Sequence, residues 1–207
     1  MSDSQLRAIA LNCSLKGGGE DSSTDRLLGE VMAELATHGV VADDVVRVVD
    51  VDVHPGVTSD EGDGDEWPGL RRRILDADIL VLGTPIWLGQ PSSVAKRVLE
   101  RMDAFLGETD DGGRMVSFGR VAVVAVVGNE DGAHHVAAEL YQALNDVGFT
   151  IPAGAVTYWV GEAMQGVDYK DKHPAPEATA TTTATAARHA APLAALLRAA
   201  PYPPAPS

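Results

Sequence analysis

Short apolar runs alternate with stretches of helical periodicity along most of the chain. Arg7-Ala-Ile-Ala-Leu-Asn12 is an apolar run closed by Ser and Gly, which predicts a buried strand. From Asp25 to His38 the apolar positions Leu27, Leu28, Val31, Met32 and Leu35 share one helical face, and Gly39 follows as a stop. Asp44 to Val53 is valine-rich and predicts a second strand, followed by an acidic, glycine-containing loop through Glu66. Trp67-Pro68 opens a helix, Asp78-Ile-Leu-Val-Leu-Gly83 is a third strand, and Ser92 to Leu106 is helical with Pro91 near its start. Val121 to Val127 is almost purely apolar and precedes a helix from about His134 to Val147. A fifth strand falls within Ile151 to Val160, where Pro152 and Gly154 suggest a split or edge strand.

Beyond Pro174 threonines dilute an alanine background, and the pattern supports only a short helix near Ala190 to Ala199, with Pro192 in its first turn. Residues 201–207 read as a Pro-rich flexible tail after a single domain over 1–200. Five strands alternating with helices imply an α/β fold, a mainly parallel sheet covered on both faces. Ligands of such sheets gather where strand order reverses, at the strands' C-terminal ends.

Composition narrows the function classes. At 207 residues and 45% hydrophobic, the chain supports one sizeable core. A net charge of −14 argues against nucleic acid as a partner, and the Arg71 to Arg73 run reads as a solvated helix face. Nothing approaches the roughly 20 apolar residues of a membrane span, and Met1 to Gln5 lacks a secretory layout, so the expected location is cytoplasmic. The lone cysteine, Cys13, rules out an internal disulfide and reads as a small core residue. No Gly-x-Ser-x-Gly elbow supports a hydrolase.

The loops after the first, third and fourth strands carry the candidate chemistry. Ser14-Leu15-Lys16-Gly17-Gly18-Gly19-Glu20-Asp21-Ser22-Ser23-Thr24 leads into a helix start, where amides, hydroxyls and Lys16 suit a phosphate. It matches neither a P-loop nor the dinucleotide fingerprint, Glu20 and Asp21 would repel an anion unless turned outward, and Ser23 or Thr24 also suits an ordinary helix cap. In the second loop, Thr84 to Ser93, Trp87 either packs on a planar ligand, with backbone groups near Leu88 and Gly89 bonding its edge, or covers the sheet end or fills a subunit contact. Gly128-Asn129-Glu130-Asp131-Gly132 offers flexible backbone and polar groups, while the adjacent His134 and His135 lack the spacing of metal ligands, so no metal is expected.

With these three loops in view, the chain resembles the flavodoxin-like NADPH-dependent FMN reductases over most of residues 7 to 165. The resemblance implies a flavodoxin-like three-layer sandwich, its five-stranded parallel sheet ordered 2-1-3-4-5. It implies FMN as cofactor, with Ser14, Lys16, Ser22, Ser23 and Thr24 at the phosphate and Pro85, Ile86, Trp87, Leu88, Gly89, Gly128, Asn129, Glu130, Asp131 and Gly132 at the ring. NADPH or NADH would be the electron donor and a small molecule the acceptor; the flavin does the chemistry, and no catalytic side chain is assigned. The third loop has no aromatic residue, which leaves one ring face open to a nicotinamide and favours a reductase over a flavodoxin-type electron carrier. A non-catalytic protein that kept the fold is the other rival. A homodimer or higher homo-oligomer is expected; Tyr158, Trp159 and Glu162 either line such an interface or pack as ordinary core or surface residues.

Overall fold

The strands without a polar face form the middle of the sheet. In the computed structural model, which describes residues 5–163 and 166–204, β1 (Arg7–Asn12), β3 (Ile79–Trp87) and β5 (Val121–Gly128) are buried along nearly their whole length. β2 (Val41–Arg47) and β6 (Val156–Val160) are half-exposed edges. These five are parallel in the order β2-β1-β3-β5-β6, while β4 (Gln90–Pro91) folds back antiparallel on the end of β3. Without that two-residue arm, the order is the expected 2-1-3-4-5 of a flavodoxin-like fold.

Alternation along each strand divides the core into two layers. Leu80, Leu82, Val124 and Val126 face α2 (Trp67–Asp76), α3 (Ser93–Met102) and α4 (Ala133–Asp146). Ala8, Ala10, Val81 and Ala125 face α1 (Ser23–Thr37) and α5 (Glu177–Ala199). Small residues on this second face admit close helices: a Cβ on Gly83 would sit 2.7 Å from a Leu28 methyl, so glycine there lets α1 settle against the switch point.

Four boundaries differ from expectation. β2 runs from 41 to 47 rather than from 44 to 53, because its partner β1 ends at Asn12 opposite Arg47; Val48–Asp50 then turns as a 3₁₀ helix with Val48 in the core. β3 continues to Trp87, so the second loop is half strand. α3 stops at Met102 and a 3₁₀ turn, Asp103–Gly107, follows.

The largest difference is α5, which starts at Glu177, so the threonine-rich stretch is helical. Thr179 and Thr183 are buried, and the Thr183 hydroxyl lies 2.8 Å from that of Thr157 on β6. Tertiary hydrogen bonds and close alanine packing outweigh threonine's weak helix preference. Pro192 is therefore inside the helix and not in its first turn; it faces solvent, where water can satisfy the carbonyl one turn earlier.

The 51–66 loop is anchored by Arg101, whose side chain is fully buried with that of Asp65; Nη2 donates to Asp65 Oδ2 at 2.7 Å, and the guanidinium also reaches the carbonyls of His54 and Thr58. In the C-terminal segment, Tyr202 rests against Phe118 with ring centroids 5.4 Å apart; residues 205–207, like 1–4, lie outside the described residues.

Candidate functional site

β2 and β3 flank β1 on opposite sides, so their connections leave in opposite directions and open a crevice above the strand ends. A cleft of about 240 Å³ occupies this position. The first loop forms its polar end. Ser14, Lys16, Ser22, Ser23 and Thr24 line it, at the N-terminus of the 15-residue α1. Ser22 is the helix cap and accepts from the Asp25 amide at 3.3 Å, whereas the amides of Ser23 and Thr24 have no acceptor within the helix and add positive dipole to the site.

Neither member of the acidic pair in this loop lines the cleft. Glu20 turns back and accepts from the Gly17 amide at 3.0 Å, and Asp50 accepts from the Gly18 amide at 3.0 Å. Asp21 contributes its carbonyl to Lys16 Nζ at 2.8 Å. Beneath the loop, Arg47 donates to the Glu20 carbonyl at 2.8 Å and to Asp25 at 3.0 Å, and Asp25 accepts from the buried Asn12. Charges on the underside thus hold the loop, leaving hydroxyls and helix amides toward the cleft.

The second loop is a hairpin. β3 carries Pro85, Ile86 and Trp87 into the cleft wall, and Leu88-Gly89 turns the chain with positive φ at both residues, 52° and 74°. Leu88 itself points out, 91% exposed, and Trp87 is 53% exposed. In the third loop, Gly128, Asn129 and Glu130 line the cleft, with Glu130 accepting from the Leu88 amide at 2.9 Å.

Gly89, Asp131 and Gly132 lie outside the lining, as does Leu88. Gly89 and Gly132 bring the two loops together, since a Cβ on Gly132 would stand 2.9 Å from Gly89 Cα, while Asp131 bonds within its own loop, accepting from the Gly132 amide at 2.7 Å.

Four further lining residues, Leu15, Val127, Trp159 and Asp168, come from outside the expected set. Trp159 is 8% exposed and packs inward, in line with the ordinary-packing reading of this residue. Its alternation with the buried Thr157 on β6 is the pattern that signals this. For Asp168 no local pattern exists. It belongs to a strap after β6 that returns to α1: Asn129 donates to Asp168 at 2.8 Å, Arg26 to the Tyr169 carbonyl at 2.6 Å, and the Lys170 amide to Ser23 Oγ at 3.2 Å. Tyr169 is fully buried, and burial together with the Glu30 carboxylate pushes its phenol well above the ordinary range.

Cys13 is fully buried in the core and lies outside the cleft lining, and burial pushes its thiol far up, as for a structural cysteine. Among the described residues, no group of three or more His, Cys, Asp or Glu is placed to hold a metal, and no helix is long and apolar enough to cross a membrane.

A parallel sheet with an anion-suited helix start beside an aromatic slot defines a flavodoxin-like flavin-binding fold. Residues 6–165 match the profile of the NADPH-dependent FMN reductases, and the chain belongs to that family of flavin-binding oxidoreductases. It is 34% identical over 173 residues to the 8-demethyl-8-aminoriboflavin-5'-phosphate synthase of Streptomyces davaonensis, covering 79% of this chain and 67% of that protein. A divalent metal cation transporter, MntH of Mycobacterium bovis, is 43% identical over 170 residues, 80% of this chain; the chain spans only 25% of that relative's length. Among solved structures, RosB with bound 8-demethyl-8-formylriboflavin-5'-phosphate superposes with a TM-score of 0.84 at 32% identity, covering 95% of this chain and 82% of that one. The apo form of the NADH:FMN oxidoreductase EMOB superposes at 0.64 with 16% identity, covering 95% and 92%, and shares the fold.

Proposed function

We propose that this protein is an FMN-dependent NAD(P)H oxidoreductase that reduces a flavin, quinone or similar small acceptor by hydride transfer. The observation that carries the reading is the pairing, in one cleft, of the α1 start and its serine hydroxyls with an apolar slot between Trp87 and Trp159. FMN fits this donor set: a phosphate monoester needs hydroxyl, amide and lysine donors, and a planar ring needs apolar walls.

Bound FMN would supply the redox centre that takes a hydride from a nicotinamide and passes electrons to the acceptor. The chain's own part is binding and orientation. Ser14, Ser22 and the Ser23 and Thr24 amides hold the phosphate, and Lys16 balances its charge. Pro85, Ile86 and Gly128 shape the ring slot: a Cβ on Gly128 would meet Ile86 at 2.8 Å, so glycine keeps the β5 end close to the hairpin. The half-exposed Trp87 leaves the mouth open for a second planar group to stack, which turns a bimolecular encounter into an oriented one. Leu15 and Trp87, each more than half exposed at the cleft, and the adjoining Leu88 give an apolar rim that suits a homodimeric assembly.

A second reading treats the flavin phosphate as substrate rather than resident cofactor. The relative solved with a formylated flavin phosphate supports it. Anaerobic addition of NADPH to protein loaded with FMN separates the readings. Bleaching of the visible absorption, faster than that of free FMN, is the expected result. A perturbed but unbleached spectrum indicates an electron carrier, a flavin recovered with altered mass supports the second reading, and an unperturbed spectrum removes the flavin altogether.

A further inference from the structure

Trp159 and Tyr169 form an aromatic pair leading from the cleft to a carboxylate. Trp159 lines the cleft, and its ring centroid lies 5.5 Å from that of the fully buried Tyr169, within the range of direct ring contact. The Tyr169 hydroxyl donates to Glu30 Oε2. Glu30 Oε1 accepts from Arg26 Nε at 3.0 Å, and the carboxylate is 30% exposed, so a proton placed on it can exchange with water. The Arg26 guanidinium carbon stands 4.8 Å from the Tyr169 ring centroid.

These groups are arranged for oxidation of a tyrosine coupled to loss of its proton. Rings in contact pass an electron readily, and indole is the more accessible donor to anything in the cleft. A cation over the Tyr169 ring opposes positive charge there, so the phenol gives up an electron only when its proton leaves with it. Glu30 is the base positioned to take that proton. The proposed hydride chemistry uses neither Tyr169 nor Glu30.

We propose that Trp159, Tyr169 and Glu30 form a relay that returns a photoexcited flavin in the cleft to its ground state by electron transfer. The idea rests on the flavin-binding reading above. Trp159 gives one electron to the excited ring. Tyr169 then gives one electron to the Trp159 cation while its phenolic proton moves to Glu30 Oε2. On recombination the electron returns through Trp159 to Tyr169, the proton returns from Glu30 to the phenol, and no reductant is consumed. Bound flavin is therefore dark and shielded from light-driven oxidation.

The test uses full-length protein loaded with FMN and desalted, with retention and visible absorption read before illumination. Flavin emission and transient absorption after a blue pulse follow. In the wild type, most of the emission of free FMN is lost and a tyrosyl radical follows the tryptophan radical. Because Trp87 lines the same slot and can quench by itself, the relay is read in a Trp87→Phe background, which stays dark and still forms the tyrosyl radical, and in which adding Trp159→Phe restores emission. Tyr169→Phe and Glu30→Gln remain dark but stop at the tryptophan radical. Bright wild-type flavin, emission recovered by Trp87→Phe alone, or a double variant that stays dark overturns the relay while leaving flavin binding intact; protein that retains no flavin overturns both. Should Trp159→Phe fail to fold, a tyrosyl signal that persists in Glu30→Gln is the overturning result.

Discussion

Ser22 does two jobs with one hydroxyl, capping α1 and lining the polar end of the cleft. Ser22→Ala therefore loses roughly 1 kcal/mol of stability through the cap, visible in a denaturant midpoint. It also weakens FMN about tenfold, as one lost charge-assisted hydrogen bond would, and leaves riboflavin, which has no phosphate, nearly unchanged; equal loss for both ligands would place the phosphate elsewhere. Gly161 is a second sensitive position. A Cβ there would lie 2.4 Å from Asn129 Oδ1 and 2.4 Å from the Trp159 ring. Gly161→Ala costs about 1–3 kcal/mol by overpacking and displaces the cleft wall, so flavin titration shows a weaker complex while far-ultraviolet circular dichroism stays native. Ser14, Lys16 and Trp87 were legible as candidates because turn and phosphate chemistry is local. The orientation of Glu20 was not, since it depends on a rotamer facing the Gly17 amide.

Among the larger pieces, the 51–66 loop shows how one buried charge organises an irregular segment. Burial by itself would raise the Asp65 carboxyl, but the Arg101 guanidinium and the amides of Glu61, Trp67 and His54 outweigh it and hold that carboxyl well below the ordinary aspartate range. A carboxyl depressed in the folded state stabilises fully above its unfolded value and loses that contribution as pH falls below it. Unfolding free energy measured from neutral to strongly acidic pH thus declines below the ordinary aspartate range. Arg101→Met removes this part of the decline and costs about 3–5 kcal/mol at neutral pH, because Asp65 is left buried and charged; retention of the full acid slope in the variant would assign it to other groups. Apolar periodicity announced α1 well, since Leu27, Leu28, Val31, Met32 and Leu35 form one buried stripe. It failed for the first half of α5, where the buried stripe is threonine and alanine and the hydrogen-bond partner, Thr157, is on another element.

The whole molecule carries a net charge of −14, so an anionic acceptor approaches against its field while a neutral one does not. Steady-state reduction of ferricyanide should accelerate as salt rises through the range where the Debye length falls to about 10 Å, and reduction of an uncharged benzoquinone should stay flat; flat responses for both would mean that the charge lies away from the cleft mouth. At this level the α/β class, the alternation of strands and helices, and the three loops of the site are properties of the chain alone, because hydrophobic period and turn residues act over a few neighbours. Folding decided what those loops do together. The Glu130 carboxylate on the Leu88 amide, Asp50 beneath the first loop and the strap that places Asp168 and Tyr169 rest on contacts between distant segments; the Tyr169 to Glu30 bond alone joins residues 139 apart in sequence. No local pattern encodes such a meeting, since only the packing of α1, β5 and β6 around one sheet brings those atoms within reach.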